Sequence, residues 1–230
     1  MQEAGRSSDE IVIRDGLVLL LDGRSLADHV ILEHGDWEPA QRRRLFALAA
    51  AFEFGPNAVF LDIGAYFGCY ALHASRSPHF GEIYAFEPDR LNFAQLQACL
   101  FLNRATERIA ARNVHVGAAP GTTEMTRSAA TPANRASARR FGGKDDQIVP
   151  VDSIDNMLNH VGQQIVAKID VELSEFDVLA GMRRTIAENK ILLQIECANP
   201  GRLKVACAAQ GLRYLERLGE TIGDYYFTNA

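Results

Sequence analysis

From Pro56 onward, apolar residues fall in short blocks whose period switches between strand and helix. Ala58 to Asp62 is a continuous apolar run closed by an acid, and Glu82–Glu87, Val114–Ala118, Ile165–Asp170 and Ile191–Glu196 have the same strand character. Helical spacing separates them. Gly68–Ser75 reads as one helix, and Arg90–Asn103 as another, with Leu91, Ala94, Leu96, Ala98 and Leu102 as its apolar positions. Glu175–Glu188 and Arg202–Gln210 complete the set. Leu212–Leu218 and Tyr225–Thr228, around Gly219 and Gly223, predict a closing strand pair. Repeated strand–helix alternation implies an α/β domain over 56–230. Its sheet is mostly parallel and covered by helices on both faces, with an antiparallel strand at the end.

Residues 1–55 read as a lead-in or cap. Ile11–Leu21, with Asp15-Gly16 inside it, predicts a short hairpin. Glu38 to Phe54 predicts a helix, because Pro39 suits a first turn and Gly55-Pro56 stops the run. Trp37 and Phe54 are expected to pack this helix, which could also roof a pocket. One stretch breaks the rhythm: Thr122 to Gln147 is rich in Ala, Ser, Thr, Arg and Gly, without a clear period. A loop of that length is expected to be a mobile flap over an acceptor pocket. Its basic cluster, Arg135, Arg139 and Arg140, would favour an anionic acceptor if it is more than solvated surface.

Composition narrows the class. The 230 residues are 47% hydrophobic with a formal net charge of −5. That suits a folded core and gives no general attraction to nucleic acid. No apolar run is long enough to span a bilayer, and the polar stretch Met1–Glu10 has no signal-peptide core. Four cysteines (Cys69, Cys99, Cys197 and Cys207), none in a C-x-x-C pair, read as buried thiols in a reducing cytoplasm.

The strongest chemical signal is Val59 to Leu72, VFLDIGAYFGCYAL. A strand ends at Asp62, and a glycine turn leads straight into a helix. In open parallel sheets, ligands bind beyond the carboxyl ends of the strands. Gly64 lets the backbone approach a ligand, Gly68 allows tight packing at the helix start, and the helix N-terminus offers free N–H groups. Glu87 ends the next strand, where an acid commonly accepts hydrogen bonds from ribose hydroxyls. A dinucleotide would call for G-x-G-x-x-G. Here Tyr66-Phe67 occupies the place where backbone should hug phosphate, so the pattern favours S-adenosylmethionine, which has no phosphate.

Asp62-Ile63-Gly64-Ala65-Tyr66-Phe67-Gly68 resembles motif I of class I methyltransferases. More specifically, the chain resembles the FkbM family over about Val59 to Glu196. Ala85-Phe86-Glu87-Pro88, then Lys168-Ile169-Asp170-Val171-Glu172-Leu173-Ser174-Glu175, then Leu192-Leu193-Gln194-Ile195-Glu196 follow that family's order. Val149 to Asp155 is similar to its strand-to-helix entry. Tyr66 stands where the family has Asn, and Leu173 where it has Gly. The resemblance implies a Rossmann-like class I methyltransferase fold with a seven-stranded sheet. It also implies cofactor contacts at Asp62, Gly64, Ala65, Tyr66, Gly68, Glu87, Pro88, Ala118 and Asp170, and methyl transfer to oxygen on a sugar, polyketide or other small or glycosidic acceptor. The same fold also serves N- and C-methylation, or binding without catalysis.

Asp170 is expected beside the first strand, near the cofactor's methionine portion. An alcohol acceptor must lose a proton, which calls for a positioned base. Asp170 and Glu172 are the catalytic candidates. His73, a turn into its helix, reads rather as a core or surface histidine, and Glu175 as a helix-start acid. Asp170, Glu172 and Glu196 offer oxygen ligands to a divalent metal only if they converge. The sequence assigns no metal ligand.

Overall fold

The computed structural model describes residues 9–23, 25–126, 146–219 and 222–230. The chain opens with β1 (Asp9–Arg14) and β2 (Leu17–Asp22), paired antiparallel. Asp15 and Gly16 both have positive φ, as a two-residue hairpin turn requires. Next comes α1 (Leu26–His34), capped by Ser25 and closed by Gly35 in the left-handed conformation. The sequence reading passed over this helix. α2 (Pro39–Ala51) follows, shorter than the expected Glu38–Phe54.

The main domain runs β3 (Ala58–Ile63), α3 (Cys69–Arg76), β4 (Phe80–Phe86), α4 (Arg90–Leu102) and β5 (Ala110–Arg112). It continues with β6 (His115–Val116), β7 (Gly121–Thr126), β8 (Asp146–Asp152), α5 (Ile154–Met157) and β9 (Gln164–Ile169). Last come α6 (Glu175–Ala180), α7 (Arg183–Glu188), β10 (Lys190–Cys197), α8 (Pro200–Ala208), β11 (Arg213–Leu218) and β12 (Gly223–Thr228).

Seven strands form one sheet in the order β11-β12-β10-β9-β3-β4-β5. The pairs β10–β9, β9–β3, β3–β4 and β4–β5 are parallel, and β12 runs antiparallel to both β10 and β11. This is the expected Rossmann-like α/β architecture. Strand alternation divides the core cleanly. Phe60, Val166, Leu192 and Tyr226 face the hairpin and α1 to α4. Val59, Leu61, Ile165, Leu193 and Phe227 face α5 to α8.

Three expectations need correction. The expected third strand, Val114–Ala118, is not in the main sheet. The short, apolar-poor β5 holds the sheet edge, and β6 pairs with β8 in a separate three-stranded sheet, β6-β8-β7. The ends of the expected loop Thr122–Gln147 are strands. β7 and β8 pair antiparallel, from Gly121 opposite Val151 to Thr126 opposite Asp146. The Thr-rich, weakly apolar sequence of β7 and the proline within β8 hide strands stabilised mainly by their cross-strand partners. Residues 127–145, with Arg135, Arg139 and Arg140, lie outside the described residues. The expected helix Glu175–Glu188 is two helices. Gly181, at the break, packs so closely that a Cβ would fall 2.1 Å from the Gly117 carbonyl oxygen.

All four cysteines are buried free thiols. Among the described residues, no helix is long and apolar enough to cross a membrane.

Asp155 caps the second half of the split helix. Its carboxylate accepts from Arg184 N and Thr185 N, both at 2.8 Å, and from the Thr185 hydroxyl at 2.7 Å. Asp155→Ala is expected to cost about 1–2 kcal/mol in denaturant unfolding, as for a lost N-cap.

Candidate active site

β3 neighbours both β4 and β9, so the chain's path across the sheet reverses there. A cavity of about 880 Å3, including its open mouth, lies at the carboxyl ends of these strands. Its size and place suit a small-molecule ligand. Gly64, Ala65, Tyr66 and Phe67 form its floor. Glu87, Pro88 and Asn92 line one side, extended by His115, Thr123 and Met125 of the small sheet. Trp37, Cys69, Tyr70, Lys168, Asp170 and Glu172 line the other, and Ala27 of α1 also borders the cavity.

The floor is built by backbone constraints. Gly64 has φ of +82°, and a Cβ there would fall 1.8 Å from the Asp170 carbonyl oxygen. Only glycine lets β3 and β9 end this close together. Asp170 N also donates to Ile63 O at 2.9 Å. Gly68 is the N-cap of α3, again with positive φ, and has no side chain to cap with. Asp62 supplies that acceptor from below: its Oδ2 takes a 2.9 Å hydrogen bond from Ala71 N. Asp62 is therefore buried beneath the floor and does not line the cavity. Burial pushes its carboxyl up to about 6, against the pull of Lys168.

Tyr66 has φ of +52°, a conformation that asparagine adopts more readily. Its N–H donates to Glu87 Oε2 at 2.8 Å, and its hydroxyl donates to Ser25 Oγ at 2.6 Å. The ring is thus tied to the lead-in. Glu87 Oε1 accepts from Asp89 N at 2.9 Å. Burial lifts the Glu87 carboxyl to about 7, although the Asp89 and Tyr66 amides favour its charged form.

Opposite Glu87, a polar row crosses the sheet. Asp62, Lys168, Gln194 and Tyr226 stand opposite one another on β3, β9, β10 and β12, so they share a face. Two residues further on, the same face carries Asp170, Glu196 and Asp224. Lys168 Nζ lies 2.9 Å from Asp170 Oδ2 and 5.0 Å from the Tyr70 ring centroid. Burial opposes its charge, but Asp170, Glu38 and Asp62 outweigh that and raise its pKa. Glu38, just ahead of α2, accepts from the Tyr70 hydroxyl at 2.9 Å. Burial, with Asp170 and Asp224 nearby, lifts Glu38 to about 7, and burial, with Asp170 and Glu38, lifts Glu196 to about 8.

The structure thus brings most of the sequence-derived candidates to one cavity. Gly64, Ala65, Tyr66, Glu87, Pro88, Asp170 and Glu172 line it. Asp62 and Gly68 support it from underneath. Ala118 does not reach it: it is exposed beyond β6, which has left the main sheet, and His115 lines the wall instead. The acids that converge are Glu38, Asp170 and Glu196, each with an oxygen within 4.8 Å of the others, so Glu38 takes the place expected of Glu172. The Lys168 ammonium already provides a cation there. A second trio, Asp36, Cys69 and His73, is similarly compact. There the Arg42 guanidinium contacts both Asp36 oxygens and Cys69 Sγ. His73 faces this cluster, not the cavity, and burial together with Arg42 lowers it to about 4. Lys168 was missed as a functional residue, although two-residue alternation puts it on the same face as Asp170. Trp37 lines the cavity ahead of the lead-in helix, which the sequence reading allowed as a roof over a pocket, whereas no sequence signal gave Glu38 a part in the site.

Comparison with known proteins bears on the family and the fold. The family model described as the methyltransferase FkbM domain matches residues 62–218. A search of curated proteins found none that matches the chain. Among solved structures, methyltransferase FkbM from Methylobacillus flagellatus KT aligns with a TM-score of 0.57 at 20% identity, covering 81% of this chain and 47% of that one. The chain thus spans about half the length of that protein. TYW2 of M. jannaschii, in complex with AdoMet, aligns at 0.51 with 12% identity, covering 98% and 89%. TYW2 of P. horikoshii, in complex with MeSAdo, aligns at 0.54 with 13% identity, covering 96% and 70%. At these identities the structural likeness is one of fold.

Two substitutions test the backbone of the site in opposite directions. Gly64→Ala forces a Cβ into the β9 backbone and is expected to cost about 3 kcal/mol or more in chemical unfolding. Leu173 is 80% exposed with φ of +67°, so Leu173→Gly removes left-handed strain and exposed apolar surface together. It is expected to raise stability by about 0.5–1 kcal/mol, seen as a higher Tm.

Proposed function

The chain belongs to the family of FkbM methyltransferases, and on that premise we propose that it transfers a methyl group from S-adenosylmethionine to a hydroxyl of a small-molecule or glycosidic acceptor. One observation carries the reading: the cavity at the point where the sheet order reverses has Glu87 on one wall and Asp170 on the other, joined by the glycine-built floor. S-adenosylmethionine supplies a methyl group already activated on a sulfonium.

In this reading Glu87 accepts hydrogen bonds from the ribose hydroxyls, and its own amide contacts to Tyr66 and Asp89 fix its orientation. Gly64, without a side chain, lets the ligand approach the floor closely, while its N–H and that of Ala65 both donate to Phe86 O and hold the turn. Pro88, Asn92, His115 and Met125 enclose the end of the cavity beyond Glu87. Alignment of the acceptor with the methyl group contributes most of the rate. Asp170 receives the proton of the acceptor hydroxyl as the new carbon–oxygen bond forms, and Lys168 holds the carboxylate in place through Oδ2. Glu172, exposed at the rim, is placed to contact the acceptor rather than the cofactor.

Calorimetry with S-adenosylmethionine and S-adenosylhomocysteine tests the cofactor assignment. Glu87→Ala should weaken both by about 1.5–3 kcal/mol, the range for a hydrogen bond to a charged group. Unchanged affinity in the folded variant would remove Glu87 from the site.

The pH dependence has a definite sign. Ribose donors favour ionised Glu87, whose carboxyl in the free protein is raised to about 7. Binding below pH 7 must therefore expel a proton, so affinity for both ligands should fall there, approaching tenfold per pH unit. Glu87→Gln should flatten that slope.

For the chemistry, Asp170→Asn should keep cofactor affinity and cut turnover by about 10²–10⁴ on whichever hydroxyl acceptor a panel reveals. A variant that matches wild type in both would make Asp170 a strand-end cap.

A further inference from the structure

Behind the wall opposite Glu87 lies a charge imbalance; of the groups that make it, Lys168 and Asp170 line the cavity and the others stand behind them. Glu38, Asp170, Glu196 and Asp224 surround a single ammonium, Lys168, and Asp62 lies beneath it. Lys168 is the one lysine or arginine lining the cavity among the described residues. Three of the four carboxylates bring oxygens within 4.8 Å of one another. The hydrogen bonds around them do not cancel the excess: Tyr70 donates to Glu38, and Gln194 Nε2 donates to Asp224 Oδ1 at 2.7 Å.

A second feature points the same way. Gln194 is fully buried in the same row. Its amide nitrogen binds Asp224 and the Tyr70 hydroxyl, while its side-chain oxygen accepts no hydrogen bond. Burying acids and a bare amide oxygen in this way is costly unless positive charge comes near. Trp37 and Tyr70 line the cavity beside this wall, and aromatic faces also attract cations. Glu38 lies outside the matched residues 62–218, so this contribution comes from the lead-in.

We infer that Glu38 and Glu196, acting with Asp170, read the positive charge of the cofactor, so that the site distinguishes sulfonium-bearing S-adenosylmethionine from its neutral thioether product S-adenosylhomocysteine. The inference rests on the reading of the cavity as the cofactor site. The two ligands share adenosine, ammonium and carboxylate, and differ by the methyl group and one positive charge. Contacts through Glu87 are common to both and cancel in the ratio of their affinities. What remains is the potential of the wall acting on that charge. The effect acts at a distance through a medium of intermediate dielectric and needs no direct contact. It would also favour release of the product once the methyl group has left.

The test is the ratio of dissociation constants for S-adenosylmethionine and S-adenosylhomocysteine, measured by calorimetry at about pH 8.5, where the raised carboxyls are ionised. Glu38→Gln and Glu196→Gln should each reduce the preference for S-adenosylmethionine by roughly threefold to tenfold, leaving S-adenosylhomocysteine within about twofold of wild type. Glu196→Asp should retain most of the preference, and added salt should erode it in the wild type. Equal loss for both ligands would mark these residues as structural and overturn the inference, as would an unchanged ratio. If the wild type bound neither ligand, the cofactor reading would fall and take the inference with it.

Discussion

The carboxyl edge of the sheet depends on one close approach, between Gly64 and the backbone of Asp170. Because Gly64 has no side chain, the ends of β3 and β9 can meet there, with Asp170 N bonded to Ile63 O. That contact fixes the direction in which the chain leaves β3, and so the floor of the cavity. It also fixes where Asp170 stands relative to the floor. Tyr66 and Leu173 take left-handed conformations on the two loops that diverge from it. The backbone strain of the site is thus concentrated around a single junction.

A second organising element is the polar row buried beneath that edge. Most of the sheet's interior is divided between two apolar faces, but one face carries Asp62, Lys168 and Gln194 in register. Lys168 can stay charged in this setting only because carboxylates surround it. The carboxylates in turn are tolerable only because Lys168, Tyr70 and the Gln194 amide offer them charge and hydrogen bonds. Removing one member would leave its partners buried without compensation, so the row should respond to substitution as a unit.

The central strands β3, β9 and β10 were legible in the sequence because they are near-continuous apolar runs with an acid at or beside their carboxyl ends, whereas the edge strand β5 was not. That pattern survives wherever helices cover both faces of a sheet. The glycine turn and Glu87 were legible for a related reason, since their chemistry is local to one strand end. Other elements draw their stability from distant partners. α1 rests on caps at Ser25 and Gly35 and on packing against the hairpin, not on a long apolar stripe. β7 and β8 are weak strands that form by pairing with each other, and β6 pairs with β8 rather than with the main sheet, leaving Ala118 exposed beyond it. Glu38 and Glu196 are far apart in sequence and meet only once α2 has docked against the sheet. Lys168 could have been placed by alternation alone, yet a lysine within an apolar strand gives no sign of which acids will face it.

The position of β12 bears on how the protein is made. This last strand in chain order lies between β10 and β11, where it brings Asp224 to Gln194 and lets the Tyr226 hydroxyl donate to Gln41 O at the far side of the lead-in. A nascent chain still lacking these residues would have β10 as an open edge and α2 without one of its tethers. The acid wall would be incomplete while the glycine turn and Glu87 had long since emerged. Glu38, Lys168, Asp170 and Glu196 all precede β12 in the chain, so what this strand adds is Asp224, a partner for the open edge of β10 and a tether for α2, rather than the acids themselves.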